Sequence, residues 1–363
     1  MHQDKKIIQK LERFLEKDEW EGWDPYDALN SRFLQFATFE KKWLRIAAIQ
    51  LLKRSPVNLR PLLGVPKSRS PKALGLIARA YLLRYRKTGK NSSLEKARAL
   101  LDWLIAHSAG YSGYSWGHHF NWQSSIFYIP KGIPTVVNTS FIAQAFLDAY
   151  DITKEKNYLS VARDACNFIL CDLNRTQLES VNNVITDNPI TDSFCFSYTP
   201  LDRTCVHNAN MLAAELLARV YAYTKEQVLL DAARRATTFT LQHQNQDGSW
   251  YYGIGPRQLY IDNFHTGFVL VSLYHVLQNI KDTQDKRLTT ALFKGFQYYR
   301  DTFFERNGAS KYFKDNPYPR DLHCSAQGII TFLALRQYDR MSERYAEIIT
   351  EWAMENMWDD RKG

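Results

Sequence analysis

A chain of 363 residues, 45% hydrophobic and 23% charged, has the composition of a protein with a large buried core rather than a disordered one. No apolar run approaches the ~18 residues of a membrane span, and the stretch MHQDKKIIQKLERFLEKDEW mixes both charge signs without an apolar centre, so neither a membrane span nor a secretory leader is expected. The net charge of +9 reads as scattered along amphipathic stretches beside acids, as in ERFLEKDE and KEKNYLSVARD, so no nucleic-acid partner is expected.

Residues 1–69 read as an N-terminal helical segment packing on a ring of hairpins, with a partial hairpin over ~27–54. Residues 70–358 then repeat one layout: an apolar helix, a short charged turn and a two-faced helix. The units begin at Gly75, Ser140, Asn210, Gly267 and Gly328, spaced 57 to 70 residues apart. Within each, apolar residues recur at the helical period, as in Phe141, Ala145, Phe146 and Ala149. A helix apolar on all sides must be buried, and a two-faced helix covers it. The expected fold is all-α: an α/α toroid of five to six helical hairpins, (α/α)6-barrel-like, forming a single domain over 1–363. Tetratricopeptide units are much shorter, at about 34 residues. FCFSY, SWYYG and SIFYI are the segments expected to form short ribbons.

Turns within units are short, whereas the connections between units are long and rich in Trp, Tyr, His, Asn and Asp. In a toroid these connections share one rim, and loops of this length inside a compact domain usually carry function. His207 in VHNAN and His265 in DNFHTG read as equivalent positions just before an inner helix, with Asn208 and Thr266 as caps in the structural alternative. Asp202 and Asp262 precede them and supply the two carboxyl groups that glycosidic cleavage needs; the alternative is an Asp that braces a turn. Trp116, Trp122, Trp250, Tyr251 and Tyr198 offer flat rings for sugar faces. His119, Asn121, Asn208, Asn210 and His323 add polar contacts, and Arg203 and Arg257 suit carboxylate or sulfate groups. His275, alone on a helix, reads as structural.

Cys166, Cys171, Cys195, Cys205 and Cys324 are odd in number and lack CxxC spacing, which argues against a disulfide framework and a structural zinc site, so a reducing cytoplasm is expected. There is no HExxH, no phosphate-cradling glycine loop and no EF-hand pattern; no metal and no cofactor are expected.

QHQNQDGSW resembles the QW motif of squalene and hopene cyclases, which are α/α toroids, but it occurs once and the acidic DxDD motif is absent. The wider pattern GYSGYSWG-x-x-FNWQS, PTVVNTSFIAQAFLDAY, CFSYTPLD-x-x-x-VHNANMLAAELLA, QDGSWYYG and IDNFHTGFVL resembles VpsJ-type polysaccharide-biosynthesis proteins over residues ~70–340. That resemblance implies a toroid of the six-hairpin glycosidase kind, concerned with making or modifying bacterial surface polysaccharide. The family often has Asp where this chain has Asn121, which implies altered activity if that Asp is essential.

The leading expectation is a carbohydrate-active protein of glycoside-hydrolase type. It would act on an oligosaccharide or polysaccharide, anionic or lipid-linked, through Asp202 and Asp262 with His207 and His265 positioning. The second is a uronate epimerase or polysaccharide lyase using Tyr198, His207 and His265. The third is a non-catalytic glycan-binding scaffold.

Overall fold

The computed structural model describes residues 2–177, 192–280 and 286–359. The turn expected inside the fourth repeat (281–285) and Thr191, which opens one long connection, lie outside the described residues. The chain divides into two compact units, residues 1–168 with 360–363, and residues 169–359.

In the first unit, α1 (His2–Lys17) precedes a 3-10 turn at Asp27–Asn30, then α2 (Arg32–Ala37) and α3 (Lys42–Arg54). Ala28, Leu29, Ile49, Leu52 and Val65 give this segment a small core of its own. Arg60 donates to the buried Asp27 at 2.8 Å beside it. The first full hairpin is α4 (Pro71–Thr88) with α5 (Asn91–Ala106). Glu12 pairs with Arg84 and Lys96, and Glu16 accepts from Tyr81 at 2.8 Å, so α1 is pinned across α4 and α5. A two-stranded antiparallel ribbon, β1 (Trp122–Gln123) with β2 (Tyr128–Ile129), leads to α6 (Val136–Thr153) and α7 (Lys156–Asn167). Helix α6 packs on both α4 and α7 and is buried on nearly every side, from Val136 to Ala149.

In the second unit a π-helical turn ending at Asp172 leads to β3 (Arg175–Thr176), paired with β4 (Cys195–Phe196). Three hairpins come next: α8 (His207–Thr224) with α9 (Gln227–Gln242), α10 (Asn263–Ile280) with α11 (Lys286–Phe303), and α12 (Leu322–Ala334) with α13 (Ser342–Asn356). The first helices of successive hairpins pack on one another, α8 on α10 and α10 on α12, while each second helix covers its own partner. Sequence explains this division. Ala209, Ala213, Ala214 and Ala218 let neighbours approach α8 from all sides, whereas α9 buries one stripe, Leu229, Leu230, Ala233, Ala236 and Thr240. Glu215 on α8 accepts from Ser272 at 2.7 Å and lies 2.6 Å from His275 Nδ1 on α10, a polar tie inside this packing.

The turns inside three hairpins are copies of one device. Gly89, Lys154 and Lys225 take left-handed backbone angles (φ 67°, 61° and 61°) and donate their N–H to Tyr85, Tyr150 and Tyr221. Thr88, Thr153 and Thr224 then accept from the residue after the cap. Two of the three expected ribbon segments contribute strand residues. Residues 249–253 do not, because the N–H groups of Tyr252 and Gly253 turn back to Tyr260 and Gln258 of the same loop.

Candidate functional site

The connections before α8, α10 and α12 in the second unit position the site. Gly253 bridges Val206, and His207 N–H donates to Tyr252 at 3.0 Å, which draws the 250–253 loop over the start of α8. A Cβ on Gly253 would stand 2.4 Å from the Cys205 carbonyl, so the close approach needs glycine there. One repeat later, Asp262 bridges Phe313 and Asn263 N–H donates to Tyr312. The matching positions are therefore Val206 with Asp262 and His207 with Asn263. This corrects the expectation that His207 and His265 are equivalent: His265 lies two residues further on, inside the first turn of α10. Neither Asn208 nor Thr266 caps. Asp262 does, accepting from His265 N–H at 2.9 Å.

His207, Asn208, Trp250, Tyr251, Tyr252, Asp262, His265, Thr266 and Val269 line one small pocket. Asp262 is buried, and its second carboxylate oxygen stands 2.6 Å from Nδ1 of His265. A carboxylate only accepts, so it fixes the Nδ1–H tautomer and leaves Nε2 of His265 for chemistry. His207 is buried, and burial, helped by the charge of neighbouring His243, pushes its pKa down to about 3. Its imidazole is neutral near pH 7, and its buried Nδ1 meets no hydrogen-bond partner. Asn208 Oδ1 is likewise buried without a partner.

Tyrosines complete the wall. Tyr252 stacks on Tyr260 with centroids 5.0 Å apart and lies 4.6 Å from the His265 ring. Burial raises the pKa of Tyr198, Tyr252 and Tyr260, and the Asp202 or Asp262 carboxylates raise each further, so all three phenols stay protonated and able to donate. Sequence reasoning misses Tyr252, Tyr260 and Phe264. Residues 250 and 252 point inward while 251 is exposed, an alternation in SWYYG that would have singled out Tyr252.

Other expected residues take different places. Asp202 accepts from the N–H groups of Tyr198, Thr199 and Thr204 and from the hydroxyls of Thr199 and Thr204. Both oxygens are spent bracing the loop, as in the turn-bracing alternative for this residue. Asn210 is fully buried, donating to Ala236 and Thr240 and accepting from Phe196 N–H, so it ties α8 to α9 and β4 rather than reaching a substrate. Trp250 is almost wholly buried, its indole N–H on the Thr240 carbonyl at 2.9 Å; Trp116 repeats this in the first unit with Leu104 at 2.8 Å. These two are wedges, not stacking platforms. Gln244 of the QW-like motif donates to Gly248 and to Ala291 of α11, which makes the motif a loop-to-helix tie. Tyr251, Arg203, Arg257 and His323 are exposed, with His323 stacked 4.3 Å from Phe264, itself 4.1 Å from His265. In the first unit His119 packs edge-on against Phe120, Trp122 against His118 and Phe127, and Asn121 accepts from Lys131 N–H. Among the described residues no group of three His, Cys, Asp or Glu side chains is placed to hold a metal ion, and no helix is long and apolar enough to cross a membrane.

No family model matches the sequence, and no curated protein matches it. Solved structures do match. The cellobiose 2-epimerase from Bacillus thermoamylovorans B4167 has a TM-score of 0.61 at 13% identity, covering 82% of this chain and 80% of that one. A sugar epimerase from a ruminal bacterium has a TM-score of 0.59 at 14% identity, covering 83% and 80%. An unsaturated glucuronyl hydrolase specific for heparin has a TM-score of 0.58 at 14% identity, covering 80% and 74%. The likeness to these structures shows an all-α, α/α-toroid fold.

Proposed function

We propose that this protein is a sugar epimerase or isomerase that moves a proton at the carbon beside a carbonyl. The observation that carries this is the buried Asp262–His265 pair opening on the same pocket as a neutral His207 whose Nδ1 has no hydrogen-bond partner, while Asp202 is consumed by its own loop. A glycosidase of the expected form needs two carboxyl groups free to meet the sugar, and this pocket offers one, already bonded to an imidazole.

In this reading Nε2 of His265 takes the proton from the carbon next to an open-chain sugar's carbonyl. Asp262 holds the ring and stabilises the imidazolium that forms. His207, neutral, donates to the carbonyl oxygen as negative charge gathers there; a neutral imidazole polarises a carbonyl without first having to lose a proton. The Tyr252 phenol, 4.6 Å from the His265 ring between centroids, is a further donor to the enediolate. Rotation of the enediolate about the bond to the next carbon turns its other face to the His265 imidazolium, and return of the proton there gives the epimer; return to the neighbouring carbon gives the ketose. The two epimerases with the same fold support this class, and Tyr251 and His323 are then the exposed rings available to the distal sugar.

The likeness to VpsJ-type proteins supports a substrate from surface-polysaccharide assembly, an oligosaccharide that is anionic or lipid-linked. We place the reaction in the cytoplasm, where five free cysteines remain reduced. The test is product analysis on reducing oligosaccharides with Asp262→Asn and Asp202→Asn variants. Epimer or ketose formation lost in Asp262→Asn, and largely kept in a folded Asp202→Asn, supports the reading. A new reducing end that depends equally on both carboxylates would replace it with hydrolysis.

A further inference from the structure

The chain's charge is less evenly scattered than expected: a basic stretch runs from residue 32 to residue 98. Residues 32–67 carry eight Lys and Arg against one acid, Glu40, although the whole chain is only +9. Among the described residues the same segment holds the three most exposed large apolar side chains, Leu62 (83% exposed), Phe36 (77%) and Leu51 (74%), with Trp43 also exposed (64%). Helix α3 has two apolar faces. One, Ile49 and Leu52, meets the segment's small core. The other, Leu44, Ala47 and Leu51, lines an open groove with Leu34, Ala37 and Leu63. On α2, Phe33 and Phe36 stand one turn apart. Phe39 lies 6.0 Å from the Phe36 ring, held outward by a turn in which Phe39 and Glu40 both have positive φ (44° and 56°). Two bulky residues in a left-handed turn are costly, and such strain is kept where it serves a purpose.

We infer that α2, α3 and the loop to residue 63 dock on an anionic lipid bilayer. Protruding Phe and Trp beside Lys and Arg are what interfacial segments present: rings at the headgroup level, cations on lipid phosphates. Arg32, Lys41 and Arg54 are exposed and make no ion pair among the described residues, so they are available to headgroups. Lys42 sits over the Trp43 ring at 5.5 Å, placing cation and indole side by side. A second copy of the chain is a poor occupant, since pairing this face with itself would set the exposed Arg32, Lys41 and Arg54 against their own copies. Docking here would hold the enzyme at a membrane that carries lipid-linked sugars, but it does not depend on the reaction proposed above.

The test is flotation of the full chain with phosphatidylcholine vesicles, with and without phosphatidylglycerol. Three proteins are compared: wild type, the pair Phe36→Ser with Trp43→Ser, and the pair Lys41→Gln with Arg54→Gln. All four side chains are exposed, so the variants should melt as wild type does. Wild type should bind phosphatidylglycerol vesicles and release at high salt. The charge pair should weaken binding about fivefold per side chain, and the apolar pair by more than about tenfold. Absence of wild-type binding overturns the proposal, as does binding indifferent to the apolar pair. A wild-type dimer in solution that the apolar pair dissociates would also overturn it, assigning the face to a second copy.

Discussion

His207 ties the site to the stability of the fold, and the link is quantitative. In the unfolded chain its imidazole titrates near 6.5, whereas burial holds it to about 3 in the folded protein. The unfolded state therefore takes up a proton first as pH falls. The stabilising contribution is complete above about pH 6.5 and is lost progressively down to about pH 3. Between about pH 7.5 and about pH 5.5 the loss from this one residue is about 1.4 kcal/mol, since the folded form stays unprotonated across that window. His118 and His119, pushed down by burial to about 3 and about 4, add losses of the same sign. They are present in both wild type and His207→Gln and cancel in the comparison. The assay is urea unfolding of both proteins at the two pH values, read from the midpoint with the slope unchanged. The wild type should lose about 1.4 kcal/mol more than His207→Gln on acidification. Equal losses would mean that His207 is protonated in the folded state, and the neutral donor proposed for the carbonyl oxygen would go with it.

Lys154→Gly and Lys225→Gly place glycine at left-handed caps (φ 61° at both) and should each raise stability by up to about 1 kcal/mol in thermal melts. Gly295→Ala would put a Cβ 2.5 Å from the Trp250 ring and should cost about 1–3 kcal/mol by the same measurement, with loss of activity as the 250–253 loop shifts. Asp262→Asn should lower kcat by two or more orders of magnitude, about 3 kcal/mol or more of barrier, with melting temperature little changed; an unaltered kcat would remove the dyad from the mechanism.

The hairpins are legible in the sequence because their signals are local and repeated. Helices α6, α8 and α10 are apolar on all faces, α9 and α11 on one, and Thr before Gly or Lys marks the turns at residues 88, 153 and 224. What does not show is anything decided by where a loop's hydrogen bonds go. Asp202 looks like a catalytic carboxylate until five donors from residues 198–204 are seen to surround it. Trp116 and Trp250 sit in loops, yet each sends its indole N–H to the end of the preceding helix, a pairing set by tertiary packing. His207 and His265 stand out in the sequence but align wrongly there, because the chemistry of the two residues is alike while the bridges that set the register, Val206 to Gly253 and Asp262 to Phe313, are backbone events. The exposed apolar face of α3 is hidden for a related reason. Trp43, Leu44, Ile49, Leu51 and Leu52 are spread round the helix, and only the packing separates the buried Ile49 and Leu52 from the exposed Trp43, Leu44 and Leu51.

Solvent-hydrogen exchange is the most direct measurement of the proposed chemistry. A reducing oligosaccharide incubated with the enzyme in D2O should acquire deuterium at the carbon beside its carbonyl, seen by NMR as loss of that proton signal. The exchange should vanish in His265→Ala and slow strongly in Asp262→Asn. A sugar that is converted with every carbon-bound proton retained would contradict the account.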